Sequence, residues 1–155
     1  MGVRAILLQK AVLVDAGQWE TGRMTKAAFP LSKNRSLRLG NGWDWRVIRL
    51  EYASENCRIL ITFHRNKQNA HAYLGIEKGT DMHVICILES HSTHPGWHVH
   101  TSCDHAGGML GRLRWPGIRR IPRKGSFHRA ISGVLSKDDV LGRALEAFRA
   151  LKALE

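Results

Sequence analysis

The chain reads as an α+β protein: an antiparallel meander of about five strands packed against a C-terminal amphipathic helix, with an irregular basic arm between them. Three observations predict this. Strand-length runs rich in Val, Ile, Tyr, Phe and Thr alternate with turn residues from about Trp45 to Cys103. A capped, 3.6-periodic apolar pattern closes the chain. Between them lies a stretch rich in Gly, Pro and Arg that suits neither pattern.

The strands come in order. "RVIRLEYA" is followed by Ser54-Glu55-Asn56, and "CRILITFHR" by Asn66-Lys67-Gln68-Asn69. "AHAYLGIE" is followed by Lys78-Gly79-Thr80-Asp81, and "MHVICILES" by a loop through Pro95-Gly96 leading into "WHVHTSC". Gly, Asn, Asp and Ser supply the backbone freedom and local hydrogen bonds that turns need, so consecutive hairpins are expected. An amphipathic helix over 44–53 competes for the first segment, because "WDWRVIRLEYA" alternates poorly. At the C-terminus, Ser136 is placed as an N-cap with Asp139 three residues on, a capping box at the positive helix end. Val140, Leu141, Ala144, Leu145, Phe148, Leu151 and Leu154 then recur as one helical stripe suited to packing on the sheet.

At 155 residues the chain is most economically one domain. "MTKAAFPLSKNR" from Met24 reads like an ordinary protein start, so residues 1–23 are a candidate N-terminal extension to a single domain over 24–155. Three cysteines without C-x-x-C spacing argue against a disulfide framework and for reduced thiols in a cytoplasmic protein. No apolar run reaches about 20 residues, so no membrane span is expected. The first residues lack a signal-peptide pattern.

Charge narrows the function class. Lys and Arg total 24 against 13 Asp and Glu, a formal net charge of +11. Such an excess favours a polyanionic partner, and nucleic acid is the leading one. A basic surface that only aids solubility is the bland alternative. The arm concentrates the charge: residues 105–137 contain no acid and include Arg112, Arg114, Arg119, Arg120, Arg123 and Lys124. Guanidinium forks match phosphate oxygens, and Trp115 between Arg114 and Pro116 offers a face for an unstacked base. That mixture suits RNA better than major-groove reading of DNA. An exposed basic loop that binds acidic protein partners, or nothing, is the competing reading.

The chemistry-bearing stretch is 91–105, "HSTHPGWHVHTSCDH", which holds five of the nine histidines. In a strand, "WHVHTSCD" sends Trp97, Val99, Thr101 and Cys103 to one face, and His98, His100, Ser102 and Asp104 to the other. His98 and His100 would then sit about 6.5–7 Å apart along the backbone. Two roles fit that spacing. The pair could share a divalent metal, Zn or Mn, with Asp104, His105, His94 or a neighbouring strand completing an open site. Alternatively, one imidazole acts as general base and the other as general acid on a phosphodiester, with Asp104 and His105 as supports and arginines stabilising the phosphorane. Histidines that merely hydrogen-bond on a half-exposed sheet remain the third reading, and the expected one for His64, His71 and His83.

"HVHTSCDHAGG" (98–108) resembles the H-x-H-x-D-H motif of metallo-β-lactamase-fold hydrolases, which bind two metals and include nucleases. The resemblance implies His98, His100, Asp104 and His105 as ligands. Two extra residues separate His100 from Asp104-His105, and the match covers only these eleven residues. The function expected from the residues themselves is a small basic phosphodiesterase acting on nucleic acid. A non-catalytic nucleic-acid-binding subunit is the alternative.

Overall fold

The structure, a computed structural model, describes residues 6–31, 39–53, 55–91, 94–101 and 135–155, with side chains described outside 91–101. The five expected strands form β3 (Trp43–Tyr52), β4 (Glu55–His64), β5 (Asn69–Lys78), β6 (Asp81–His91) and β7 (His94–Thr101). Each pairs antiparallel with the next, giving the meander. The 44–53 segment is therefore strand, not helix. Its polar positions gain main-chain partners on both sides, which its imperfect alternation does not reveal.

Two further strands extend the sheet beyond the meander. β1 (Ala11–Asp15) pairs with β3 along Ala11↔Tyr52 to Leu13↔Leu50, and the two-residue β2 (Glu20–Thr21) pairs with the start of β3. Both lie in the 1–23 segment, which also contributes Ile6, Leu7 and Ala11 to the core cluster. Gly17, at φ 62°, sits so close to the Val47 carbonyl that a Cβ would collide with it. Only glycine lets the chain cross there.

One face of the sheet is continuously apolar. Ile48, Leu50 and Tyr52 of β3, Cys57, Ile59, Ile61 and Phe63 of β4, and Ala70, Ala72, Leu74 and Ile76 of β5 are all buried in a single cluster. The helix α1 (Lys137–Ala147) closes it with Val140, Ala144, Leu145 and Ala147. Its capping box forms as the sequence expects: Asp139 N–H donates to Ser136 Oγ at 3.2 Å, and Ser136 N–H to Asp139 Oδ2 at 2.9 Å. The Ser136 N–H bond to the carboxylate, joined by one from the Ser136 hydroxyl at 2.8 Å, holds the exposed Asp139 carboxyl below its usual range.

The helix ends sooner than its apolar stripe. Ala150 N–H reaches back to the Leu145 carbonyl (2.8 Å) and Arg149 N–H to that of Glu146 (3.2 Å), with Arg149 at φ 56°. This is a Schellman stop with arginine in the left-handed position usually given to glycine. The Tyr52 hydroxyl, buried in the sheet, donates to the Phe148 carbonyl at 2.6 Å and anchors the stop. A short 3-10 turn, Leu151–Leu154, follows, and Leu151 is exposed rather than core.

The opposite face is covered only in part. Residues around the 3-10 turn Lys26–Ala28 lie across it, and Phe29 packs with Leu60 and Met82. Arg58 fastens this segment: its Nη1 donates to the carbonyls of Ala27 (2.9 Å) and Ala28 (3.0 Å), and its Nε to Glu77 Oε1 (2.7 Å). Gly75 provides the room, since a Cβ there would meet Met82 Cε at 2.8 Å and Phe29 Cζ at 3.1 Å.

Candidate functional site

The residues of interest gather on this second face, toward the end of the sheet where β4 turns into β5. Period-two alternation puts Trp43, Trp45, His64, His71 and Tyr73 on it, because their strand neighbours fill the apolar face. Their rings contact one another in sequence. Trp43 meets His64 edge-on at 5.2 Å and His71 at 6.2 Å, and His71 stacks on Tyr73 at 5.9 Å with 15° between planes. Phe29 completes the series against Tyr73 at 6.4 Å. Phe29 and His64 are buried, while Trp43, His71 and Tyr73 are half-buried.

His64 is fixed as a structural histidine. Its Nδ1 accepts from Lys67 N–H at 3.2 Å, which places a ring proton on Nε2. Gly42, at φ 88°, allows the close approach, for a Cβ would come within 2.7 Å of Nε2. Burial, with the Glu89 carboxylate adding to it, pushes the Tyr73 phenol well above its usual range. The phenol therefore stays neutral at any physiological pH.

Strand register sets what lies beside this surface. His71 pairs with Glu89 across β5 and β6, and Glu89 pairs with His98 across β6 and β7. In the next row Tyr73 pairs with Ile87, and Ile87 with His100. Val99 and Thr101 instead pair with Leu88 and Cys86, both buried in the apolar cluster. His98 and His100 thus occupy register positions on the face that carries His71 and Tyr73.

A one-residue bulge produces this alignment. The β5–β6 ladder shifts between Leu74 and Gly75, where Leu74 pairs with Cys86 but Gly75 with Val84. Ile85 is the extra residue, and it and Cys86 are both buried. The bulge brings Glu89 opposite His71.

The remaining expected site residues fall elsewhere. Asp104 and His105, and the whole arm with Arg112, Arg114, Trp115, Arg119, Arg120, Arg123 and Lys124, lie outside the described residues, as does Cys103. Among the described residues no group of three His, Cys, Asp or Glu side chains is placed to hold a metal ion. Cys57 and Cys86 are free and buried. Burial pushes the Cys57 thiol up to about 12 and that of Cys86 well above the ordinary thiol value, so neither is a nucleophile. Among the described residues no helix is long and apolar enough to cross a membrane.

Sequence reasoning treated His71 as an isolated histidine and gave Glu89 no role. The only available signal was alternation within "AHAYLGIE", which already places His71 and Tyr73 on one strand face. No family model, curated protein or solved structure matches the chain.

Proposed function

We propose that this chain is a small cytoplasmic nucleic-acid phosphodiesterase, with RNA the favoured substrate, working on the sheet face that carries His71, Tyr73, His98 and His100. The observation that carries the reading is the register: the strand with two alternate histidines lies two strands away from a half-exposed aromatic surface on the same face. Sheet faces bearing aromatic rings suit unstacked bases, each stacked base contributing about 1–3 kcal/mol. Trp43 and Tyr73 are the platforms. The excess of 24 basic over 13 acidic residues supports a polyanionic ligand, and Arg112, Arg114, Arg119, Arg120, Arg123 and Lys124, with Trp115, are the backbone and base contacts assigned to the arm. His98 and His100 carry the chemistry, as proton-transfer groups or as ligands, with Asp104 and His105 in support.

Cleavage and binding separate this reading from the non-catalytic alternative. His98→Ala combined with His100→Ala should reduce cleavage of a single-stranded RNA oligomer by about 100-fold or more, the scale of lost acid–base catalysis. Affinity for the uncleaved oligomer should stay close to that of the parent. Binding without cleavage in the parent protein identifies a nucleic-acid-binding subunit instead. Loss of folded structure in the double variant assigns the two histidines to the sheet's architecture.

A further inference from the structure

We propose that His71, Glu89 and His98, aligned across β5, β6 and β7, form a site for a single zinc-class divalent cation. The proposal rests on the phosphodiesterase reading for its purpose alone, because cation binding is measured on the protein without nucleic acid.

The three positions form one row of the ladder: His71 pairs with Glu89, and Glu89 with His98. Adjacent strands lie about 4.8 Å apart, so the two histidine positions flank the glutamate position at equal backbone spacing. Side chains directly opposite in such a row have Cβ atoms about 4.5–5.5 Å apart, near enough to converge on one ion. Two His and one Glu are a donor set found in catalytic zinc sites, which leave a fourth position for water or a substrate oxygen. That open position is what a phosphodiesterase needs.

The described half of the row is already positioned. His71 is held by stacking on Tyr73 and by its contact with Trp43, which fixes the ring plane. Glu89 lies close enough to Tyr73 for its charge to act on the phenol. Neither residue lacks an interaction of its own, so the cation would take over existing contacts rather than fill a void. His100, paired with the aliphatic Ile87, has no acidic neighbour in its row. It is therefore left as the proton-transfer group, while His98 becomes a ligand.

This assignment differs from a site built on one strand. If His98 and His100 chelate together, His71 and Glu89 are irrelevant; if the row binds, His100 is. Zinc titration of the metal-stripped full chain against a chromogenic chelator distinguishes them. One equivalent should bind. Glu89→Gln, His71→Ala and His98→Ala should each weaken it by more than about 10–100-fold, the loss that even supporting residues around a metal cause. His100→Ala and the exposed strand-end variant His83→Ala should leave affinity unchanged. Glu89→Gln keeps the side chain's shape, so its result holds where an alanine disturbs the sheet. The proposal is overturned by an absence of saturable binding, or by loss of zinc in His100→Ala with retention in His71→Ala and Glu89→Gln. Zinc binding without RNA cleavage would leave the cation site standing and remove the phosphodiesterase reading.

Discussion

Against the helix, the sheet presents one buried, mainly apolar cluster running from β3 to β6, aromatic Tyr52 and Phe63 included; its other face is a patchwork. There, Phe29, Leu60 and Met82 form a small cluster under the 26–28 turn. Next to them Arg58, Glu77 and Arg49 form an ion-paired group, and beyond the cluster lies the aromatic and histidine surface. The apolar face stabilises the chain by excluding water from β3, β4, β5 and β6 at once. The second face spends its positions on specific contacts, each local. The difference teaches where substitution should be costly and where chemistry can be placed: groups that bind ligands need contact with solvent, and the helix-covered face offers none.

The sharpest way to break this comparison is a cavity on the helix side. Ile61 is fully buried in the middle of β4. Ile61→Ala removes several methyl and methylene groups and leaves a void that the rigid sheet cannot close, so it should cost about 2–5 kcal/mol. Urea unfolding followed by circular dichroism measures it. A loss under about 1 kcal/mol, the scale of a surface site, would mean that the helix does not seal this face.

The strands were legible because their short runs are rich in β-branched and aromatic residues and their turns contain Gly, Asn and Asp. The helix start was legible because Ser136 and Asp139 act on backbone groups within one turn. Its end was not: the stop depends on the Tyr52 hydroxyl, which lies 96 positions away in the chain. β1 was hidden for a similar reason. "AVLVD" is short, and its partner β3 is a distant segment. Among the candidate site residues, His98 and His100 were visible as an i, i+2 pair, but their neighbours were not. Counting back from the Lys78–Asp81 turn with regular pairing sets Leu88, not Glu89, opposite His71. The bulge at Ile85 moves the register by one residue, and a bulge that places two apolar residues side by side leaves no mark in an apolar run such as "VICIL".

On the patchwork face a smaller effect is expected, and in the opposite sense of volume. Gly75→Val would thrust methyl groups into the space between Met82 and Phe29, whose nearest atoms already approach within 2.8 and 3.1 Å of an added Cβ. Valine has a high strand propensity, which would favour the change if the face were open. The collision instead should displace Phe29 and cost about 1–3 kcal/mol. Exposure of the 26–28 turn to limited proteolysis, with the helix-side core intact, is the expected accompaniment. A stability equal to or above the parent's would show that the Phe29 segment does not rest on the sheet at this point.

The smallest effect sharpens the electrostatic part of the contrast. The Arg58 side chain, hydrogen-bonded to Glu77 at 2.7 Å, holds the Glu77 carboxyl below its usual range, and Arg49 adds to this at 3.4 Å. A carboxyl depressed in the folded state stabilises the fold above its unfolded pKa, and the contribution fades as pH falls through the folded value. Glu77→Gln keeps the shape and leaves Arg58 bonded to Ala27 and Ala28, so it isolates the charge. Because the group is partly exposed to solvent, the loss at neutral pH should be about 0.2–1 kcal/mol, and salt should reduce it. Parent and variant should converge in stability as the pH is lowered through the acidic range, where Glu77 takes up its proton. The same comparison on Ile61→Ala should show a gap that does not close with pH, because no charge is involved. A Glu77→Gln gap that persists unchanged in acid would mean that this carboxylate is held by packing, as on the helix face, rather than by its arginines.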